Sequence, residues 1–296
     1  MTRVFDLHCD TPSVCFKEKI YFENEISAVK ERDLKNFDSA VQVCAIFTRD
    51  DKKNAFQHYK DNVNYFKECI TLPINDLTAQ HSILLSVEGG SIFQGDPDKV
   101  FDIYEDGIRT VSLTWNGEND LAGGVLTDVG LKEKGKELIK NLNGLNMALD
   151  LSHLSDKSFF AAIELADFPL ATHSNSRVIC DNKRNLTDEQ LKLIRDKKGI
   201  VGLNFYPPFL NDNNVMYQIY LNIEHMLNLG LENNIAIGSD FDGGQMACEL
   251  DCTAKIPDLY DFLFKMDMDK KVLDKIFYEN ALGFYKKLFD NNLNIV

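Results

Sequence analysis

The chain has 296 residues, 44% hydrophobic and 26% charged, an ordinary globular composition and long enough for one α/β barrel of about 250 residues. Its formal net charge of −14 excludes nucleic acid and anionic membrane surfaces as partners, because both require clustered Lys and Arg.

In chain order, apolar and β-branched runs alternate with amphipathic stretches. Strands are predicted over 3–9, 39–48, 82–88, 108–115, 146–152, 168–173, 200–206 and 234–240. Helices are predicted over 51–70, 97–106, 131–143, 155–166, 187–198 and 214–229. Ser155-Asp156 and Thr187-Asp188-Glu189 serve as start signals. A last amphipathic helix, about 269–289, carries Val272, Leu273, Ile276, Phe277 and Leu282 on its apolar face and is expected to close the barrel wall. Residues 116–130, Gly- and Asn-rich, form a loop after the fourth strand that is placed to act as a lid. Residues 244–256 form another after the eighth.

Eight strands alternating with helices, without a break in composition, predict one domain over 1–296, a (β/α)8 barrel. The competing architecture is an open doubly wound sheet. Polar residues at the strand ends separate the two. His8 and Asp10 follow strand 1, Glu88 ends strand 3, His153 strand 5, His173 strand 6 and Asp240 strand 8. In a barrel these ends ring one mouth, whereas an open sheet holds its first and last strands apart. The barrel is the expected fold.

Each island carries its own chemistry. His8-Cys9-Asp10 is an HxD pattern, and strand alternation puts His8 and Asp10 on one side and turns Cys9 toward the outer helices. One imidazole and one carboxylate suit zinc, although a lone HxD is as often a buried His bonded to an Asp. Glu88 closes the uncharged run SILLSV and needs a compensating partner there. Its two oxygens can bridge two cations, and Gly89-Gly90 lets the chain turn beside it. His153 and His173 follow apolar runs on adjacent strands. In GSDFDG, Asp240 and Asp242 share parity, and either can face the mouth while the other bonds loop amides. His58, His81 and His225 fall in helices or at the opposite mouth and serve as controls. Three histidines with two strand-end carboxylates make the donor set of a two-metal hydrolase.

The motifs HCDTP (8–12), VEGG (87–90), SLTWN (112–116), LDLSH (149–153), THS (172–174), RN (184–185), NFY (204–206) and GSDFDG (238–243) occur in the order seen in membrane dipeptidases. The chain resembles these renal dipeptidase-like metallopeptidases of the amidohydrolase superfamily from residue 5 to about 288. The resemblance implies a TIM-like barrel with two zinc ions per subunit, one held by His8, Asp10 and Glu88, the other by Glu88, His153 and His173. It implies Asp240 as general acid/base and Arg184 as the fork that binds the free carboxylate of a dipeptide, with Tyr206 as a further substrate contact. The reaction implied is attack on the peptide carbonyl by a hydroxide bridging the metals. Where relatives carry a His that helps bind the substrate and stabilise the tetrahedral intermediate, this chain has Trp115, its only Trp. An indole donates one hydrogen bond but does not titrate near neutrality.

Other readings follow from the same residues. Lactone, cyclic-amide or deaminase chemistry commonly uses HxH after strand 1 and a carboxylated Lys after strand 4, and this chain has neither. A catalytically reduced peptide-binding homologue is the remaining alternative. The start, MTRVFDLHCD, does not read as a signal peptide. No run approaches a membrane span, and the C-terminus lacks a lipid-anchor tail. Seven cysteines without a CxxC pair suggest reduced thiols. The expected setting is cytoplasmic, with a dipeptide substrate, no nucleic acid, no membrane, and a homodimer as the candidate assembly.

Overall fold

A computed structural model describes residues 3–211 and 214–292. Eight parallel strands close in sequential order: β1 Arg3–Cys9, β2 Ser39–Phe47, β3 His81–Glu88, β4 Ile108–Ser112, β5 Ala148–Asp150, β6 Pro169–Ala171, β7 Ile200–Leu203 and β8 Ile235–Ile237. The ring shuts where Asp6 of β1 pairs with Ile237 of β8. The fold is therefore the expected (β/α)8 barrel, and the open sheet is ruled out. The predicted helices form within a few residues of their expected bounds, from Ala55–Cys69 to Val215–Asn228. Both start signals act as caps. Ser155 accepts from the Ser158 amide, and Thr187 forms a reciprocal capping box with Gln190.

Several strands are shorter than predicted at their C-terminal ends. β4 stops at Ser112, β5 at Asp150, β6 at Ala171 and β8 at Ile237. The apolar pattern continues because the chain stays buried as it leaves the sheet, but the ladder has ended. His153, His173 and Asp240 thus sit on the first loop residues rather than on strands.

The route by which His8 reaches the interior also differs from simple alternation. Phe5 and Leu7 pack inside the barrel, which by period two would send His8 outward. A register shift between Asp6 and Cys9 against β2 inserts one extra residue. After it, His8 and Asp10 face the mouth, and Cys9 packs outside against Cys44, with their sulfurs 3.6 Å apart.

The C-terminal segment runs through Lys270–Asp274, a π-helical turn Lys275–Glu279 and Asn280–Asn292. Its first part packs Leu273, Ile276 and Phe277 into the layer between strands and helices, as expected. Beyond the π turn it does something different. Ala281, Phe284, Tyr285 and Leu288 join the interior side chains Phe5 and Leu7 in a second cluster. Tyr285 bonds Thr110 of β4 inside the barrel at 2.9 Å. Arg3 and Ser39, at the strand starts, meet Glu279 and Tyr278. This helix plugs the N-terminal floor, leaving the opposite mouth as the open end.

Candidate metal centre

At that mouth the expected ligands converge. His8 Nε2 is 3.5 Å from Asp10 Oδ2 and 3.4 Å from Glu88 Oε2. Glu88 Oε1 is 2.8 Å from His153 Nε2 and 4.0 Å from His173 Nε2, and the two imidazole nitrogens are 2.9 Å apart. All five side chains are buried. They form two triads sharing Glu88, namely His8–Asp10–Glu88 and Glu88–His153–His173; a third possible triad is His8–His173–Asp240.

The backbone is strained where it delivers these groups. His153 and Asp240 adopt φ of 69° and 63°, left-handed values that cost a non-glycine residue about 1–3 kcal/mol. Gly89, at φ 95°, supplies the turn after Glu88. A Cβ there would lie 2.0 Å from the Thr48 carbonyl oxygen, so the close approach requires glycine.

Ring protons can be placed from the partners. Asn116 Oδ1, which only accepts, lies 2.8 Å from His153 Nδ1, so that nitrogen carries the proton. Arg184 Nη2, which only donates, points at His153 Nε2 from 3.1 Å. On the neighbouring strand Thr172 Oγ1 donates to Asp150 Oδ2 at 2.6 Å and so accepts from His173 Nδ1 at 2.7 Å. Neither Nε2 therefore carries a ring proton, and both face each other and a Glu88 oxygen, with the Arg184 Nη2 proton directed at His153 from one side. Nearby, His8 Nε2 and Asp10 Oδ1 are buried without any hydrogen-bond partner. Lone pairs brought together in a buried cage are stabilised by a cation, and the nitrogen and oxygen donors suit a borderline ion such as zinc. The residues fit two metal ions.

Burial pushes Asp10 up to about 7, assisted by the charge of Glu88, and lifts Asp240 to about 6. Burial and then the Arg184 charge drive His153 down to about 4. His173 falls well below the usual imidazole range from burial and from His8 and Arg184. Burial also opposes a charged His8, but the Asp10 and Glu88 carboxylates outweigh it and hold it well above its ordinary value.

The other predicted residues surround this cage. Asp240 has Oδ1 3.8 Å from His8 Nε2, and its Oδ2 accepts from Asn204 Nδ2 at 2.9 Å. Asp242 also lines the cavity but has its carboxylate engaged by the Thr11 hydroxyl and the Ala28 amide, whereas Asp240 lies against the cage. Arg184 is buried with its guanidinium over the Phe209 ring, not spread on the surface like a neighbour of Lys183. Trp115 is half-buried, edge-on to Phe47 and 6.5 Å from the His153 ring. Tyr206 stacks edgewise on Phe209. Trp115, Arg184, Tyr206 and Asp240 all line one cavity of about 520 Å³, within the range of small-molecule sites. The control histidines lie elsewhere. His81 bonds the Phe37 carbonyl, His225 pairs with Asp188, and His58 packs on Phe16.

The 116–130 loop reaches the cavity through Asn116, Val125 and Leu126, but it is stapled rather than detached. The Val125 amide donates to the His153 carbonyl and the Leu126 amide to that of Asn116. Asn116, Thr172, Asn204 and Asp150 also support the site, and all four lie inside the motifs SLTWN, THS, NFY and LDLSH without a role evident from sequence. Position within a motif was the available signal, since a hydrogen-bonding side chain has no periodicity of its own.

A sequence profile for the family described as membrane dipeptidase (peptidase family M19) matches residues 1–293. The chain belongs to the membrane dipeptidase family. By class it is a metal-dependent hydrolase, in keeping with the clustered ligands. A Klebsiella pneumoniae protein described only as uncharacterized, in the pqqA 5′ region, is 35% identical over 223 residues, 70% of this chain and 82% of its own length. An uncharacterized dipeptidase of Schizosaccharomyces pombe is 29% identical over 219 residues, 71% of this chain but only 54% of that protein. In fold, a Rhodobacter sphaeroides metallopeptidase solved with a phosphinate mimic of the dipeptide L-Ala-D-Ala superposes with a TM-score of 0.85. That match covers 97% of this chain and 99% of the other at 22% identity. Despite the family's name, no helix among the described residues is long and apolar enough to cross a membrane.

Proposed function

We propose that this protein is a dizinc dipeptidase acting on short peptides with a free C-terminal carboxylate. His8, Asp10 and Glu88 hold one ion, and Glu88, His153 and His173 hold the other. The observation that carries this reading is the pairing of a shared-carboxylate cage with one buried guanidinium, Arg184, 3.1 Å from His153 in the same cavity. When bound, two such ions supply Lewis-acid polarisation of a carbonyl and a water of lowered pKa.

The protein's own groups do the rest. Arg184 Nε is buried without a partner, so the fork has a free donor for a carboxylate, which it recognises in bidentate fashion. That anchor would set the last peptide bond of a substrate beside the cage, and a cavity of about 520 Å³ favours short peptides such as dipeptides. Asp240, with a pKa near 6, takes a proton at neutral pH and returns it to the leaving amine. Trp115 and Tyr206 both line the cavity, and Trp115 puts a non-titrating indole where the family resemblance implies a His. The R. sphaeroides ligand supports including L-D pairs among the substrates. The seven unpaired cysteines support a reducing, cytoplasmic setting.

Hydrolysis of a dipeptide panel, L-L and L-D, tests the proposal with metal content measured in parallel. Turnover is expected for free dipeptides, loss when the C-terminus is amidated, and loss on chelation with recovery on adding zinc. Turnover that survives complete removal of metal would overturn it.

Metal uptake should also be proton-linked. Near pH 6 Asp10 and His8 hold protons that a cation must displace, and near pH 8 Asp10 has lost its own. The apparent zinc affinity is therefore expected to fall from about pH 8 to about pH 6 while proton release grows. Calorimetry in buffers of different ionisation enthalpy measures both. Equal release at the two pH values would contradict the assignment of Asp10 as ligand.

A further inference from the structure

We propose that Asn116 is a positioning residue of the metal centre, fixing His153 in the tautomer that presents its Nε2 lone pair to a zinc ion. The inference rests on the reading of the cage as a two-metal site and adds a determinant of one ion only.

The geometry is specific. The Asn116 amide oxygen lies 2.8 Å from His153 Nδ1 and can accept only a proton carried there. Metal-binding imidazoles depend on such an acceptor to orient the ring and raise the basicity of the coordinating nitrogen. His153 has particular need of one. It lies three residues past the end of β5, in a left-handed conformation, so no strand ladder sets its ring plane. His173 has a separate holder in the Thr172–Asp150 relay, which Asn116 does not touch.

Asn116 is itself held from both sides. The Asp50 carboxylate, three residues beyond β2, accepts the amides of Trp115 at 3.3 Å and Gly117 at 2.6 Å, the residues flanking Asn116. The Asn116 carbonyl takes the Leu126 amide at 2.9 Å, and the adjacent Val125 amide donates to the His153 carbonyl at 2.8 Å. Loop and ligand are thereby locked in one register. Since the same loop carries Trp115 into the cavity, the wall of the substrate pocket and the orientation of a metal ligand are set by one piece of chain.

Zinc competition against a chromophoric chelator, on the full chain, tests this with wild type, Asn116→Leu and Asn116→Asp. Wild type is expected to bind two ions. Asn116→Leu should weaken one of them by about 10–100-fold and leave the other, while Asn116→Asp, which keeps an acceptor oxygen at the same place, should restore tight binding of both. Thermal midpoints of the metal-free proteins monitor folding. Unchanged affinity for both ions in Asn116→Leu overturns the proposal, as does equal loss in both variants, which would make loop packing rather than the acceptor the determinant. Wild type binding no zinc would instead overturn the metal reading beneath it.

Discussion

Glu88→Ala is expected to lose both metal ions and to reduce dipeptide turnover on the order of 10³-fold or more. Glu88 is the one side chain shared by the triads His8–Asp10–Glu88 and Glu88–His153–His173. Its removal leaves each ion two protein donors, whereas catalytic zinc sites hold three. Metal polarisation supplies several kcal/mol to the transition state, and each 1.4 kcal/mol is about tenfold in rate, which sets the scale. The barrel should still fold. Glu88 sits at the mouth, while the packing that defines the fold lies below it, where Leu84, Phe5 and Leu7 meet the plug of Phe284 and Tyr285. Zinc analysis after dialysis, far-ultraviolet circular dichroism and a dipeptide assay read the three effects separately. A variant that keeps two ions and its rate would remove Glu88 from the centre. Glu88→Gln is the companion variant, retaining shape and one acceptor while losing the charge that two cations require.

The placement of Glu88 was legible because strand alternation carried it from Leu84 to the mouth without interruption. His8 arrived inside for a reason that the pattern does not contain. An extra residue in β1 reverses its parity after Leu7, and bulges have no hydrophobic signature. His153 and Asp240 were legible as residue types at the ends of apolar runs, but their left-handed backbone was not, because apolar periodicity reports burial and not φ. The floor plug is a similar case. The periodicity of 269–289 showed an apolar face, yet the π turn at Lys275–Glu279 divides it between the outer layer and the barrel interior. The supporting groups Asn116, Thr172 and Asn204 were the least visible. Their importance lies in which atom accepts from which, and that depends on contacts between loops 20 or more residues apart.

Asp240→Asn is the substitution that separates two roles the geometry brings close together. Asp240 can complete a triad with His8 and His173, and it can equally serve as the group that carries a proton beside the other two triads. Its environment favours the second role. Oδ2 is committed to Asn204 at 2.9 Å, Oδ1 stands 3.8 Å from His8, and burial with the Glu88 charge lifts it to about 6, close to the working pH of a general acid/base. Asparagine matches aspartate in size and can still meet Asn204 through its oxygen, but it cannot take or release a proton. Two zinc ions should therefore remain bound with near wild-type affinity while kcat falls about 10²–10⁴-fold, the usual contribution of a positioned acid/base. KM should change little, because Arg184 and the metal ligands, the proposed substrate-binding groups, are untouched. If Asp240 is instead a ligand, the same variant loses an ion, and adding excess zinc raises its rate. Metal stoichiometry and the split between kcat and KM in one preparation decide between the roles; a variant with full turnover would exclude both.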